Sequence, residues 1–308
     1  MAFWWVNHKQ TFKFEVEEGY IWSPQENKNG SRNQTYINLT RAAIGDVVFS
    51  YADTRIPAVG KVIAQYEESQ RPEEFGSTGQ QWNKTGWLVR IQWNLLPYPL
   101  KPKDFLGEIS PLLPTKHSPI QPNGNGNQGV YLAEISNLLG NMLLTLIDQS
   151  NLGVYEELEG IDDAREESAV EDQIRYSNVP NTQKQQLISA RVGQGLFRLN
   201  VERVELRCRV TGLTDKRMLI ASHIKPWKDS TNEERLDGYN GFLLSPHIDK
   251  LFDKGWISFT NAGTLLVSSK DIIPILKSWF IDPGRSVGAF KGRQKEYLDY
   301  HRSIIFKG

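Results

Sequence analysis

The chain has five histidines, at positions 8, 117, 223, 247 and 301. Two of them frame an asparagine: His223, then Asn240, then His247, with Asp249 two positions further on. These residue types in this order suit phosphodiester hydrolysis. A neutral imidazole takes a proton from water near neutral pH. A carboxylate holds a hard divalent cation, whose charge stabilises a leaving oxygen. An asparagine both donates and accepts, so it can bond backbone groups and fix the loop that carries the base. A second set of residues is aromatic. The words GYIWSP (19–24), SYADTR (50–55) and QQWNKTGW (80–87) put Trp22, Tyr51 and Trp82 at or beside loops. An aromatic face outside a core suits stacking of a base drawn out of a helix, and polar neighbours can read its edge.

These residues need elements to hold them. The first half is predicted to be β-rich, with strands at FWWVNH (3–8), IGDVVFSYA (44–52), AVGKVIAQY (58–66) and GWLVRIQW (86–93). Short strands at this spacing fit a small barrel better than a doubly wound sheet. A Gly- and Asn-rich loop, QPNGNGNQG (121–129), leads into VYLAEISNLLGNMLLTLI, whose spacing suits an amphipathic helix. An acidic stretch, 156–172, reads as linker or exposed helix. In the last part, QKQQLISARVGQGLFR is predicted helical. VERVELRCRVTG and MLIASHI are read as strand-like, HIDKLFD as a short helix, and WISFT and TLLVSS as a closing hairpin around NAG.

With 308 residues, two domains are expected: 1–150, an acidic linker 151–180, and 181–308. The net charge of 36 − 36 = 0 conceals an asymmetry: −1 over 1–150, −7 over 151–180 and +8 over 181–308. A basic last part suits a polyanionic partner, and Arg191, Arg198 and Lys225 stand out as phosphate contacts. The longest nearly apolar stretch, 138–147, is too short for a membrane span. The N-terminus lacks the pattern of a secretory signal, so a cytoplasmic location is expected. A single cysteine, Cys208, excludes an internal disulfide and a multi-cysteine zinc cluster.

Cys208-x-x-Thr-Gly, then Ala-Ser-His223-Ile-Lys-Pro-Trp, Asn240-Gly-Phe-Leu-Leu-Ser-Pro-His247-Ile-Asp249 and Leu-Phe-Asp253-Lys-Gly, resemble an HNH endonuclease over about residues 188–270. The resemblance implies a ββα-metal fold with His223 as general base and Asn240 fixing the central loop. Asp249 stands where the family's last His usually falls, which makes it the first choice of metal ligand. His247 is a second candidate for ligand or phosphate contact. Ser222 occupies the position before the base, where many relatives have a metal ligand. Three of the four sulfurs of the family's zinc knuckles are absent. No structural zinc is expected, with Leu213, Leu243, Leu244 and Leu251 packing in its place. The implied cofactor is a divalent ion, Mg²⁺ first, with Mn²⁺, Ni²⁺ or Co²⁺ as others.

FWWVNH, GYIWSP, the IGDVVFSYADTRIPAVGKV block and the NGNGNQG loop resemble an EVE domain of the PUA superfamily over about residues 1–135. This implies a pocket for a flipped, modified base, with Trp22 as stacking wall. Tyr51 and Trp82 are further aromatic candidates, and Asn7, Ser23 and Asp53 are candidates for the base edge. The combined expectation is an α+β protein: a PUA-like β-barrel with helices joined to a ββα-metal nuclease. Its expected partner is double-stranded DNA bearing 5-methylcytosine or 5-hydroxymethylcytosine, cut by a modification-dependent restriction endonuclease. Double-strand cleavage by one such motif calls for a homodimer. A nuclease of modified RNA and an inactive DNA-binding module stay open as alternatives.

Overall fold

The computed structural model describes residues 1–308 except 9, 28, 79–81 and 83. Gln80, Gln81 and Asn83 of the QQWNKTGW word therefore lie outside the described residues. The fold is α+β, in two compact units, Met1–Arg165 and Glu166–Gly308.

The first unit is built on strands β1 (Phe3–Asn7), β2 (Tyr20–Pro24), β3 (Val47–Ala52), β4 (Arg55–Val62), β5 (Glu67–Gln70), β6 (Thr85–Leu100) and β7 (Leu132–Ile135). They form one mixed sheet in the order β2-β6-β4-β3-β1-β7, with β5 on β6. β6 is 16 residues long. Its first part pairs with β2 and β5 and its second with β4. One bent strand thus serves two parts of a curled sheet.

β1 and β3 pair in parallel and lack a polar face. Phe3, Trp5, Val47 and Phe49 enter one core, and Trp4, Val6 and Val48 another. A strand covered on both faces reads as a continuous apolar run, which is the look of FWWV and VVF. Asp46 anchors the edge of this core, accepting bonds from Trp4 Nε1 (2.9 Å) and from the backbone N–H groups of Ala2 and Ala43. Asp53 and Thr54 both have positive φ, 48° and 65°, so a tight two-residue turn joins β3 to β4.

One predicted helix is shorter than its sequence pattern. Leu132–Ile135 is a strand on β1, and the helix begins only after Ser136, whose side chain accepts from Leu139 N. Leu139, Leu143, Leu144 and Ile147 then bury one face of Asn137–Ser150. The acidic stretch is a helix, Val154–Tyr176, whose Val154, Leu158 and Ile161 are buried in the first unit's core while its acidic residues lie mostly outside it.

Gly86 on β6 has no room for a side chain. A Cβ there would lie 2.3 Å from Ser23 O and 2.4 Å from the Trp22 indole. Gly86→Ala should therefore cost about 1–3 kcal/mol through overpacking. It should lower the melting temperature, followed by tryptophan fluorescence, by several degrees; an unchanged melt would show that the Trp22 ring yields without cost.

In the second unit, Asn181–Arg191 and Gly195–Val204 are helices separated at Gly193. The strand-like reading of VERVELRCRVTG is corrected here. Val201 and Phe197 are buried four residues apart, a helical spacing, and the segment after Val204 is irregular. β8 (Ile220–His223) pairs antiparallel with β9 (Gly241–Leu244), and the helix Pro246–Asp253 follows directly. β10 (Ile257–Phe259) and β11 (Leu265–Val267) form the closing hairpin. Cys208 is fully buried in the unit's core, with Leu243, Leu244 and Leu251 in the same cluster and Leu213 packed against it.

Candidate functional site

His223 ends β8 opposite Gly241. Its Nε2 lies 3.1 Å from Arg235 O. A carbonyl only accepts, so Nε2 carries the hydrogen and Nδ1 keeps its lone pair. The ring lies flat on Phe197, centroids 3.7 Å apart and planes 3° apart. Burial, with a contribution from the nearby Arg235 guanidinium, pushes the His223 pKa down to about 4 against the carbonyl's opposing pull. The result is a neutral imidazole fixed in one tautomer, with a basic nitrogen that has no hydrogen-bond partner among the described residues. That is the state a general base requires.

Asn240 is completely buried and holds the loop between the two strands. Its Oδ1 accepts from Lys225 N (2.8 Å), and its Nδ2 faces Lys225 O, Ser230 Oγ and Glu234 O within 3.3 Å. Thr231 and Glu234 form a reciprocal capping box on the short helix Asn232–Leu236. That helix presents the Arg235 carbonyl to the imidazole. Asn240 thus holds the backbone whose Arg235 carbonyl meets the His223 ring.

Asp249 lies one turn into the Pro246–Asp253 helix, with the Ser222 hydroxyl beside it. Burial raises its pKa, the Ser222 hydroxyl opposes this, and Asp253, one turn on, raises it further. Asp253 itself pairs with Lys254 at 3.8 Å. Among the described residues no cluster of three or more His, Cys, Asp or Glu could share an ion. The donors at Asp249 therefore fit a magnesium-like ion that keeps several waters and takes one or two carboxylates, and do not fit four-ligand zinc. His247 is not brought to Asp249. Two residues along a helix do not share a face, and the His247 ring meets Trp279 edge-on at 4.8 Å.

The three cations singled out from sequence all have internal partners. Arg191 pairs with Glu167 and Glu171. Arg198 pairs with Glu202 and bonds the carbonyls of Leu219 and Lys216. Lys225 pairs with Glu234 at 2.8 Å. A phosphate contact by any of them would have to compete with a carboxylate or carbonyl.

The first unit holds a cavity of about 530 Å³. Trp22, Tyr51, Trp82, Asn7, Ser23 and Asp53 all line it. Their environments differ. Trp22 is 2% exposed, set between Gly86 and Trp82, whose ring is stacked on it at 6.3 Å. Trp82 is the more accessible of the pair. Tyr51 donates to Gly124 O. The Asn7 amide accepts from Trp5 Nε1 and donates to Pro119 O and Val130 O, tying down the Gly- and Asn-rich loop. A base edge would have to displace one of those bonds to reach Asn7. Asp53 is exposed on the rim, and Ser23 Oγ is buried without a partner among the described residues.

Sequence reasoning missed Phe197's role as a platform, the Arg235 carbonyl as orienting acceptor, and His8, Glu15 and Tyr131 around the cavity. A backbone acceptor leaves no side-chain signal. The TNEE capping word was the one trace of the helix that supplies it.

Among solved structures, the chain is similar to a hypothetical protein from Leishmania major (9% identity, 48% of this chain and 96% of that one, TM-score 0.35). It is also similar to a Toxoplasma CPSF4 YTH domain (14%, 48% and 88%, 0.33) and to the Pho92 YTH domain in complex with m6A (13%, 47% and 85%, 0.34). At these scores the likeness bears on neither ligand nor activity. No curated protein matched the sequence. A family model described as HNH endonuclease matches residues 208–260. That span contains β8, the Asn240 loop, β9 and the Asp249 helix, and the second unit accordingly carries an HNH endonuclease domain.

Proposed function

We propose that the protein is a modification-dependent restriction endonuclease of the type IV kind. Its first unit takes a flipped 5-methylcytosine or 5-hydroxymethylcytosine from double-stranded DNA, and its second unit hydrolyses the backbone. The observation that carries the nuclease half is the His223 imidazole, neutral and held by Arg235 O at Nε2, with no partner for Nδ1 among the described residues, next in the chain to Ser222, whose hydroxyl lies beside Asp249.

His223 Nδ1 takes a proton from water as the water oxygen attacks phosphorus. The P–O3′ bond breaks, and the leaving oxygen takes its proton from solvent. The Arg235 carbonyl holds the ring throughout and stabilises the imidazolium that forms. Asn240 keeps that carbonyl in place. A divalent ion, Mg²⁺ first, would be held by Asp249 with Ser222 beside it and would supply charge against the leaving oxygen. One such motif cuts one strand, so a double-strand break takes a homodimer or two events.

The reader half is supported by the cavity, which gathers all six residues expected to contact a base. A buried methyl is worth roughly 0.8 kcal/mol, so selection over plain cytosine is modest unless cavity shape adds to it. Binding of the intact chain to matched duplexes carrying cytosine, 5-methylcytosine or 5-hydroxymethylcytosine, and to modified single-stranded RNA, tests this. A preference for the modified duplexes is expected. Equal affinity for all three duplexes would overturn the reader assignment, and tighter binding to the RNA would reassign the substrate.

A further inference from the structure

Three side chains on the cavity lining carry polar atoms that are buried without a hydrogen-bond partner among the described residues: His8 Nε2, Trp22 Nε1 and Ser23 Oγ. Native structures leave few such atoms, and several on one cavity point to a bound ligand. His8 has the most organised support. Its Nδ1 lies 2.6 Å from Glu15 Oε2, and both side chains are inaccessible to solvent. Glu15 also accepts from Thr11 Oγ1 (2.6 Å), Trp22 N (2.8 Å) and the Tyr131 hydroxyl. Burial alone would raise the Glu15 pKa, but His8 and the hydroxyl donors outweigh it, and the net shift is downward. An ionised carboxylate only accepts, so His8 Nδ1 carries a hydrogen. In the Nδ1–H tautomer that this contact selects, Nε2 presents a lone pair. Phe12, Trp93 and Tyr131 meet the ring at about 6 Å and keep it from turning.

We infer that His8 determines which pyrimidine the cavity accepts, its Nε2 receiving a hydrogen bond from the exocyclic amine of the modified cytosine, with Glu15 as the residue that orients it. The inference rests on the reading of the cavity as a base pocket and adds what that reading lacks. Thymine carries the same 5-methyl group as 5-methylcytosine, so apolar contacts with the methyl cannot tell the two apart. They differ at position 4, where cytosine has an N–H donor and thymine a carbonyl. A lone pair facing that position attracts one and repels the other, and a polar atom buried unpaired penalises the wrong base further.

The test is equilibrium binding of the intact chain to four duplexes differing at one base opposite guanine: cytosine, 5-methylcytosine, thymine and 5-methylpyrimidin-2-one, which keeps the methyl and lacks the amine. A thymine opposite guanine leaves the helix at least as readily as a paired cytosine, so its rejection reports on the pocket. The wild-type protein should bind 5-methylcytosine at least about tenfold more tightly than thymine or the pyrimidinone. His8→Phe, which keeps a ring in place, should bring these three affinities within about threefold of one another. Because Glu15 loses a partner in that variant, the wild-type series with the amine-free base stands as an independent arm. Wild-type binding of thymine or the pyrimidinone as tight as 5-methylcytosine overturns the inference. Failure of the modification reading shows separately, as equal binding of cytosine and 5-methylcytosine. Binding to none of the four overturns both.

Discussion

His223→Ala is expected to lower single-turnover DNA cleavage by about 10²–10⁴-fold, the usual contribution of a positioned general base, while duplex affinity stays within about twofold. The reason is local. The ring has one nitrogen satisfied by Arg235 O and the other without a hydrogen-bond partner among the described residues. The pH profile should carry the same signature. The competent form is neutral, and the folded pKa is about 4 against an ordinary 6.5. The His223 limb of the cleavage rate should therefore appear near pH 4, leaving the rate flat through pH 6.5. The sign for stability follows from the same depression. The unfolded chain binds a proton here that the folded one refuses, so the contribution is fully present above 6.5 and is lost as pH falls through about 4. A His223→Ala protein that cuts at the wild-type rate would remove the imidazole from the mechanism.

Asp249→Asn should be the second large loss. A bound ion contributes several kcal/mol of charge stabilisation, so cleavage in Mg²⁺ should fall by about 10²-fold or more. Stability should move the other way or not at all. The wild-type carboxyl is held above its ordinary pKa by burial and by Asp253, so its charge is a cost in the folded state, and asparagine keeps the shape and a group able to bond Ser222. Cleavage lost together with an unchanged or raised melting temperature, checked by calorimetry, separates a ligand role from a packing role. A lowered melt with cleavage retained would contradict the assignment.

Local words in the sequence carried the candidate nuclease site. The spacing from His223 through Asn240 to Asp249 spans a hairpin and one helix turn, so chain distance and spatial distance stay close. The cavity was legible for a different reason. Trp22, Tyr51, Trp82, Asn7, Ser23 and Asp53 stand on β1, β2, β3, the β3–β4 turn and the loop before β6, and the resemblance placed those elements together. What failed depended on tertiary context. VERVEL has the alternation of a strand, yet burial of Phe197 and Val201 made its start helical. LAEI continued a helical apolar pattern until pairing with β1 took it into the sheet. The basic residues looked available because a charge census does not see Glu167, Glu171, Glu202 and Glu234 closing on them. His8 was passed over because Glu15, seven residues on, gives it meaning only after folding.

The most direct measurement is cleavage by the intact chain of one plasmid prepared with cytosine, 5-methylcytosine or 5-hydroxymethylcytosine, in Mg²⁺ and again with chelator. The account predicts cuts in the two modified plasmids, few in the plain one, and none once the ion is removed. Equal cutting of all three, or cutting that survives the chelator, would contradict it.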